Sequence, residues 1–341
     1  MKNTMKALIF PEPWKVECVE VPIPEPGPHD VLARVVSCGI CGSDVGIYEG
    51  GHWIVAHGPG GHGHESGCEV VAVGDKVQGI KPGDRVARMG ACYAQYTTEV
   101  NVVGHGQDQA TGALPIVRND LTCDEISFAD AVGCALNCAE RAELDRITGR
   151  KPRAVILGLG PIGLILARIL AMRGVEVAAS EPFAHKRVLA ARSGVKVYNP
   201  CEFTRARHGR ETFVDAILQD FGPADAVFEM VGHNQTLLDA IALVRPGFRV
   251  LVFGAQSMQM IPYKECRLKG VELVYPEAMV NSKSGVDYWT PALDLLAGKN
   301  GPKLQVMDLI TDRVTLEQAM HAFEHYNREG WIKIIVEPNR D

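Results

Sequence analysis

The sequence lacks an uncharged apolar run of the roughly 18 residues that a membrane span requires. The stretch from Met1 to Phe10 carries two lysines and no apolar segment ahead of a small-residue cleavage site. These absences exclude a helical membrane protein and predict a soluble chain in the cytoplasm. An excess of one charge is missing as well. With 35 Lys+Arg against 41 Asp+Glu, the net charge of −6 gives no pull toward phosphate backbones or anionic lipid. Neither nucleic acid nor membrane is expected as a partner. Aromatic residues are only 6% of the chain, which speaks against a large aromatic pocket. There is no internal repeat and no low-complexity block. The ten cysteines are scattered over 341 residues without the dense spacing of a disulfide scaffold, so they read as thiols, metal ligands or core fillers.

What is present has the size of two domains, at about 100–200 residues each. From Lys6 to about Val103, β-rich runs alternate with turns: Val16 to Val21, Asp30 to Val36, Cys68 to Val73 and Asp84 to Ala87. The four prolines between Pro22 and Pro28 bar that segment from a central strand. An irregular β domain is predicted. Around Gly149 the rhythm changes. Ala154 to Leu157, Val175 to Ala179, Ala226 to Glu229 and Arg249 to Phe253 read as apolar strands; Ile162 to Met172, His185 to Arg192 and Gln235 to Val244 read as helices between them. Such alternation predicts a doubly wound parallel sheet, an α/β domain of the Rossmann type. Two helices, near Tyr288 to Leu296 and Leu316 to Tyr326, and a strand at Ile332 to Val336 complete the chain. Pattern alone leaves open whether that strand finishes the sheet or returns to the first domain.

The segment Gly158-Leu-Gly160-Pro161-Ile162-Gly163 runs from an apolar strand into an apolar helix. Gly158 supplies a tight turn, Gly160 lets the main chain approach a pyrophosphate, and Gly163 lets the helix pack on its strand. Free N–H groups and the positive helix end then face the phosphates. The next strand ends at Glu181, 18 residues after Gly163, where a carboxylate accepts from both ribose hydroxyls and repels a 2′-phosphate. NAD is therefore expected over NADP, with Lys186 and Arg187 close enough in sequence to soften that preference.

The first domain holds Cys38-Gly-Ile-Cys41-Gly-Ser43-Asp44, then Gly61-His62-Gly63-His64-Glu65, then Gly133-Cys134. A catalytic zinc takes three protein ligands and keeps one position open, and thiolate with imidazole suits it. With these segments, Met5-Lys-Ala-Leu, Lys81-Pro-Gly-Asp-Arg-Val86, Arg245-Pro-Gly247 and Trp331-Ile-Lys333 fall in one order. In that order the sequence resembles the zinc-dependent medium-chain dehydrogenase/reductase superfamily of alcohol, sorbitol and threonine dehydrogenases along nearly its whole length. The resemblance implies a GroES-like catalytic domain over 1–135 and 271–341, closed by the C-terminal return, and an NAD-binding Rossmann domain over 136–270. It makes Cys41, His64 and Cys134 the zinc ligands. Cys134 is placed by its 24-residue distance to Gly158; Cys138 and Glu65 are its rivals. Glu65 resembles the family's carboxylate beside the metal. Ser43 is the group that hydrogen-bonds the substrate alcohol and passes on its proton. Asp44 reads as an orienter by hydrogen bonding.

The pattern also departs from the family. Relatives with a structural zinc carry four closely spaced cysteines after Gly-Asp-Arg-Val, whereas only Cys92 stands here, so one zinc per chain is expected. Gly46 occupies the place of a relay histidine, leaving proton release to a ribose hydroxyl, water or a group such as His52. His52, His57 and His62 are read as a polar loop bordering the cleft. Gly247 is followed by Phe248 where a second Gly is common. Cys18, Cys68, Cys123, Cys201 and Cys266 are read as small buried hydrophobes. The expected reaction is hydride transfer between NAD(H) and a secondary alcohol or ketone, a polyol, sugar or cyclitol. Its rivals are a zinc-free NADPH-dependent quinone or enoyl reductase, and a non-catalytic NAD-binding or metal-sensing protein. A homodimer or homotetramer is expected, pairing edges of the nucleotide-domain sheet.

Overall fold

The computed structural model describes residues 3–50, 58–60, 62–87, 89–100, 115–203, 212–254, 260–276, 286–326 and 328–340. His52 and His57 lie outside the described residues. The chain divides into two units, Met1–Asp130 with Val280–Asp341, and Ala131–Met279.

In the first unit, β1 (Thr4–Ile9) and β2 (Glu17–Pro22) form an antiparallel ribbon, which ends at the first of the four prolines. Then come β3 (Asp30–Gly39), α1 (Gly42–Tyr48), β4 (Glu65–Val73), β5 (Arg85–Ala87), β6 (Tyr96–Val100), β7 (Ile116–Val117) and α2 (Cys123–Ser127). Thr122 and Glu125 start α2 by capping each other's backbone N–H groups. The helix α3 (Ala129–Arg141) carries the chain across the division.

The second unit runs β8 (Arg153–Leu157), α4 (Pro161–Met172), β9 (Glu176–Ser180), α5 (Ala184–Arg192), β10 (Lys196–Tyr198), α6 (Phe213–Asp220), β11 (Ala224–Glu229), α7 (Asn234–Leu243), β12 (Val244–Val252), α8 (Tyr263–Lys269) and β13 (Glu272–Val274). Its six strands are all parallel, in the order β10-β9-β8-β11-β12-β13. Numbered within the unit this is 3-2-1-4-5-6, the order of a dinucleotide-binding sheet. The unbroken apolar strands follow from helices covering both faces: all six residues of β11 are buried. Val155, Val227, Leu237, Ile241 and Val250 belong to the unit's core, and each such side chain contributes about 1.5–3 kcal/mol on leaving water.

The chain returns to the first unit through α9 (Trp289–Ala297), β14 (Ile310–Val314), α10 (Ala319–Glu324) and β15 (Lys333–Val336). β15 pairs antiparallel with β3, placing Ile335 opposite Gly39 and Val336 opposite Cys38. The terminal strand therefore joins the seven-stranded sheet of the first unit, in the order β14-β15-β3-β4-β5-β7 with β6 on β3. This register sets Lys333 beside the end of β3, where α1 begins.

The cysteine reading needs correction in three places. Cys68 and Cys123 are buried, but Cys18 and Cys201 are exposed and Cys266 is half-buried. Cys18 falls on the outward phase of a ribbon whose burial alternates residue by residue, and Cys201 sits in a surface turn opened by Pro200. Apolar character alone does not tell which phase of an alternating strand faces inward.

Candidate metal centre and dinucleotide turn

Cys41 leaves β3 in extended backbone and opens α1, its N–H donating to Asp44 Oδ2 at 3.0 Å. Asp44 thereby closes the first turn and is fixed in place. The Tyr93 hydroxyl donates to the same Oδ2 at 2.6 Å, and Asp44 Oδ1 stands 3.6 Å from His64 Nδ1. Asp44 is buried at 1% exposure, so its charge acts on His64 with little screening from water. Gly63 delivers His64 to this point with φ +87°; a Cβ there would lie 2.9 Å from Cys38 Sγ and 3.1 Å from the Tyr93 ring. Only glycine fits both the backbone and the space.

Glu65, the first residue of β4, is buried and paired with the buried Lys333 of β15. Lys333 Nζ also donates to Ile40 O at 3.2 Å. The Glu65 carboxylate fills the space a Cβ on Gly39 would need. Burial pulls the Lys333 pKa down, but Glu65, Cys41 and Asp44 outweigh it and hold the ammonium above its ordinary value. Burial likewise opposes a charge on His64, while Asp44, Cys41 and Asp130 raise that imidazole well above its usual value. Asp130, at the start of α3, is pushed up to about 6 by burial, with Glu65 and Asp44 adding to the rise and His64 and Lys333 opposing it.

The donor atoms of Cys41, His64 and Glu65 all lie within 4.8 Å of one another. Around a tetrahedral zinc with bonds of about 2.0–2.3 Å, neighbouring donors stand about 3.3–3.8 Å apart, a spacing that lies within the span of these three atoms. The chemistry fits too. Acidic groups at Asp44, Glu65 and Asp130 surround the thiol and imidazole, with Lys333 as counter-charge, and a dication satisfies that imbalance.

The structure thus brings Cys41, His64 and Glu65 together. Ser43 is exposed in the first turn of α1, two residues beyond Cys41. Cys134 and Cys138 lie on α3 within the second unit and are both buried. Burial pushes the Cys138 thiol far up, the condition of an inert core cysteine. His62 packs edge-on against Phe10, its ring centroid 4.7 Å away. Cys92 is buried, its thiol 3.3 Å from the carbonyls of Met89 and Gly90.

Three neighbours escaped the sequence reading. Tyr93 positions Asp44 across 49 residues, and the pairing of Lys333 with Glu65 spans 268. Tyr326 places its hydroxyl 3.8 Å from where a Gly42 Cβ would stand, and burial, reinforced by Cys41, Glu65 and Asp44, lifts its pKa well above normal. Of these, only Lys333 left a trace, in the segment Trp331-Ile-Lys333, where its partner Glu65 was not legible.

In the second unit, Gly158 turns the end of β8 at φ +95°, and a Cβ there would lie 2.8 Å from Val231 Cγ2. Gly163 packs so closely on the Gly158 carbonyl that no side chain fits. Gly160 caps α4, Pro161 and Ile162 form its first turn, and nothing stands within 4 Å of a Gly160 Cβ. That open, acid-free helix end lies beside β8 and β11, where the strand order reverses. Glu181 follows β9, its Oε2 accepting from Leu159 N–H at 2.8 Å and its Oε1 from Phe183 N–H at 3.0 Å. Lys186, in α5, is buried with its ammonium 4.8 Å from the Phe183 ring centroid; burial lowers its pKa and Glu181 opposes the drop. Glu229, fully buried at the end of β11, was legible only as a strand residue. Its carboxylate accepts from the N–H groups of Val231 and Gly232 and from the Thr236 hydroxyl, fixing the loop against which Gly158 turns.

The chain is similar to known proteins along most of its length. The profile of the alcohol dehydrogenase GroES-like domain matches residues 27–119, and that of the zinc-binding dehydrogenase domain matches residues 161–298. L-threonine 3-dehydrogenase of Pyrococcus abyssi is 31% identical over 280 residues, covering 74% of this chain and 77% of the relative. Human sorbitol dehydrogenase is 26% identical over 362 residues, covering 97% and 95%. In fold, the chain is similar to 2R,3R-butanediol dehydrogenase from Bacillus subtilis, with a TM-score of 0.79 at 21% identity over 98% of this chain and 100% of the other.

Proposed function

The chain belongs to the zinc-dependent medium-chain dehydrogenases, and from that premise we propose that it moves hydride between NAD(H) and the carbinol carbon of a polyol or sugar-like secondary alcohol. The observation that carries this reading is the convergence of Cys41, His64 and Glu65 within 4.8 Å beside buried Asp44. One zinc per chain is proposed there. Cys41 and His64 are two of its ligands; the third is Cys134, by its 24-residue distance to Gly158, or Glu65.

When bound, zinc supplies Lewis acidity that lowers the pKa of a substrate hydroxyl, and NAD supplies the hydride acceptor. The chain's own residues do the rest. Ser43, exposed in α1, would take the substrate hydroxyl proton while passing its own on to a ribose hydroxyl or water. Asp44 Oδ1, 3.6 Å from His64 Nδ1, would support the imidazole as a ligand through its charge. Lys333 pairs with Glu65 and holds it in place. The Gly158 to Gly163 turn, with Pro161 and Ile162 in its helix start, takes the pyrophosphate on backbone N–H groups. Glu181 takes the ribose hydroxyls and favours NAD over NADP, and Lys186 completes that end of the site.

The polyol reading rests on sorbitol dehydrogenase among the relatives and on an aromatic content of 6%. A cytoplasmic setting accords with the ten cysteines forming no disulfide; among the described residues, no helix is long and apolar enough to cross a membrane. A panel of polyols, sugars, threonine and simple alcohols, read as NADH or NADPH formation, tests the proposal. The expected result is turnover of a secondary alcohol with NAD, lost on chelation and restored by zinc. Undiminished turnover after complete removal of metal would refute it and favour a zinc-free reductase.

A further inference from the structure

A second group of metal-type donors shares no residue with the Cys41 centre. His321 and Glu324 are on α10, and His325 caps its C-terminal end. At positions i, i+3 and i+4 they share one helix face. The ring centroids of His321 and His325 are 3.9 Å apart, and the donor atoms of all three residues lie within 4.8 Å of one another. His321 and Glu324 are exposed, so approach from solvent is open. His325 Nδ1, by contrast, is shielded from solvent and has no hydrogen-bond partner among the described residues. A sheltered imidazole nitrogen without a partner is a cost that a bound ion removes.

The group is held on a firm base. Ala319, Ala322 and Phe323 bury the opposite face of α10, and Phe323 packs edge-on against both Phe10 and Tyr93. Trp331 backs the two imidazoles, with ring centroids 6.4 Å from His321 and 6.1 Å from His325. A donor set already gathered loses little freedom on binding.

We propose that His321, Glu324 and His325 form a surface site for a divalent transition-metal ion of the zinc, nickel and copper class. Two imidazole nitrogens and one carboxylate oxygen supply the protein ligands, and water fills the remaining positions. Magnesium and calcium are disfavoured because they require mostly oxygen donors. The helical spacing of the two histidines is the one that lets a pair at i and i+4 grip a single ion.

Titrating tag-free, zinc-loaded enzyme with Ni2+ by calorimetry tests the site. The expected result is one further ion bound per chain, absent from the His321→Ala/His325→Ala double variant and weakened by Glu324→Gln. Zinc content and turnover of the double variant should match the parent, since these side chains take no part in the Cys41 centre. A Cys41→Ser/His64→Ala variant should still bind the Ni2+ ion, so failure of the zinc reading above and failure of this one give different results. Copper added to that variant should show nitrogen superhyperfine coupling in its electron paramagnetic resonance spectrum. No further Ni2+ equivalent in the parent, or equal binding in the double variant, would overturn the proposal.

Discussion

Asp44 is the residue on which the metal centre turns. It caps the helix that Cys41 opens, receives the Tyr93 hydroxyl and stands against His64, so one buried carboxylate fixes both proposed ligands. Asp44→Asn keeps the size and an acceptor but removes the charge. Zinc affinity should fall about 10–100-fold, as losses of groups supporting metal ligands do, while circular dichroism and expression stay those of the parent. Unchanged zinc affinity would remove Asp44 from the account. At this scale the sequence was informative where partners are neighbours in the chain: Cys41, Ser43 and Asp44 sit within four residues, and the glycines of the dinucleotide turn within six. It was silent on Tyr93, Tyr326 and the hold of Lys333 on Glu65, because those contacts depend on strand register. The exposed Cys18 shows the same limit.

Among the elements, the parallel sheet of the second unit is stitched at its start by Asp225, the second residue of β11. Its carboxylate receives two hydrogen bonds from Arg150 at 2.6 Å and one from the Arg153 N–H at 2.9 Å, and Arg245 of β12 stands 2.9 Å away. Burial alone would raise the Asp225 pKa; the Arg150 and Arg153 bonds, with the Arg245 charge, outweigh it and lower it below the ordinary value. A depressed folded-state pKa adds stability that is fully present above the unfolded value of about 3.9 and is lost as pH falls through the folded value. Asp225→Asn should therefore destabilise the protein at neutral pH, and the gap from the parent should close toward pH 3 or below. The cost should be about 1–3 kcal/mol, below that of a fully buried pair, because the Arg150 side chain is 43% exposed and can be rehydrated. Denaturant melts across pH would show a constant gap if the carboxylate were not ionised in the fold. The sheet itself was readable from its apolar strands and helix starts. The destination of β15 was not readable from pattern, since four apolar-flanked residues fit either sheet; pairing with β3 settles it.

For the molecule as a whole, β13 is the outer strand of the nucleotide sheet among the described residues, with β12 on one side and no strand on the other. Near it in sequence, Met260, Ile261, Tyr263, Leu268 and Tyr275 are exposed, at 52–77% of their surface. An open edge flanked by exposed apolar side chains is the feature that pairing with a second copy covers. A dimer or tetramer is the expected state; light scattering that finds a monomer across working concentrations would contradict it. The central claim, that Cys41 and His64 hold a zinc on which turnover depends, is tested most directly by zinc-edge X-ray absorption on active enzyme and on the Cys41→Ser variant. The account predicts a mixed sulfur and nitrogen shell in the parent, with two sulfurs if Cys134 is the third ligand and one if it is Glu65. It also predicts the loss of a sulfur, or of the metal, together with turnover in the variant. An active parent whose zinc shell contains no sulfur would contradict it.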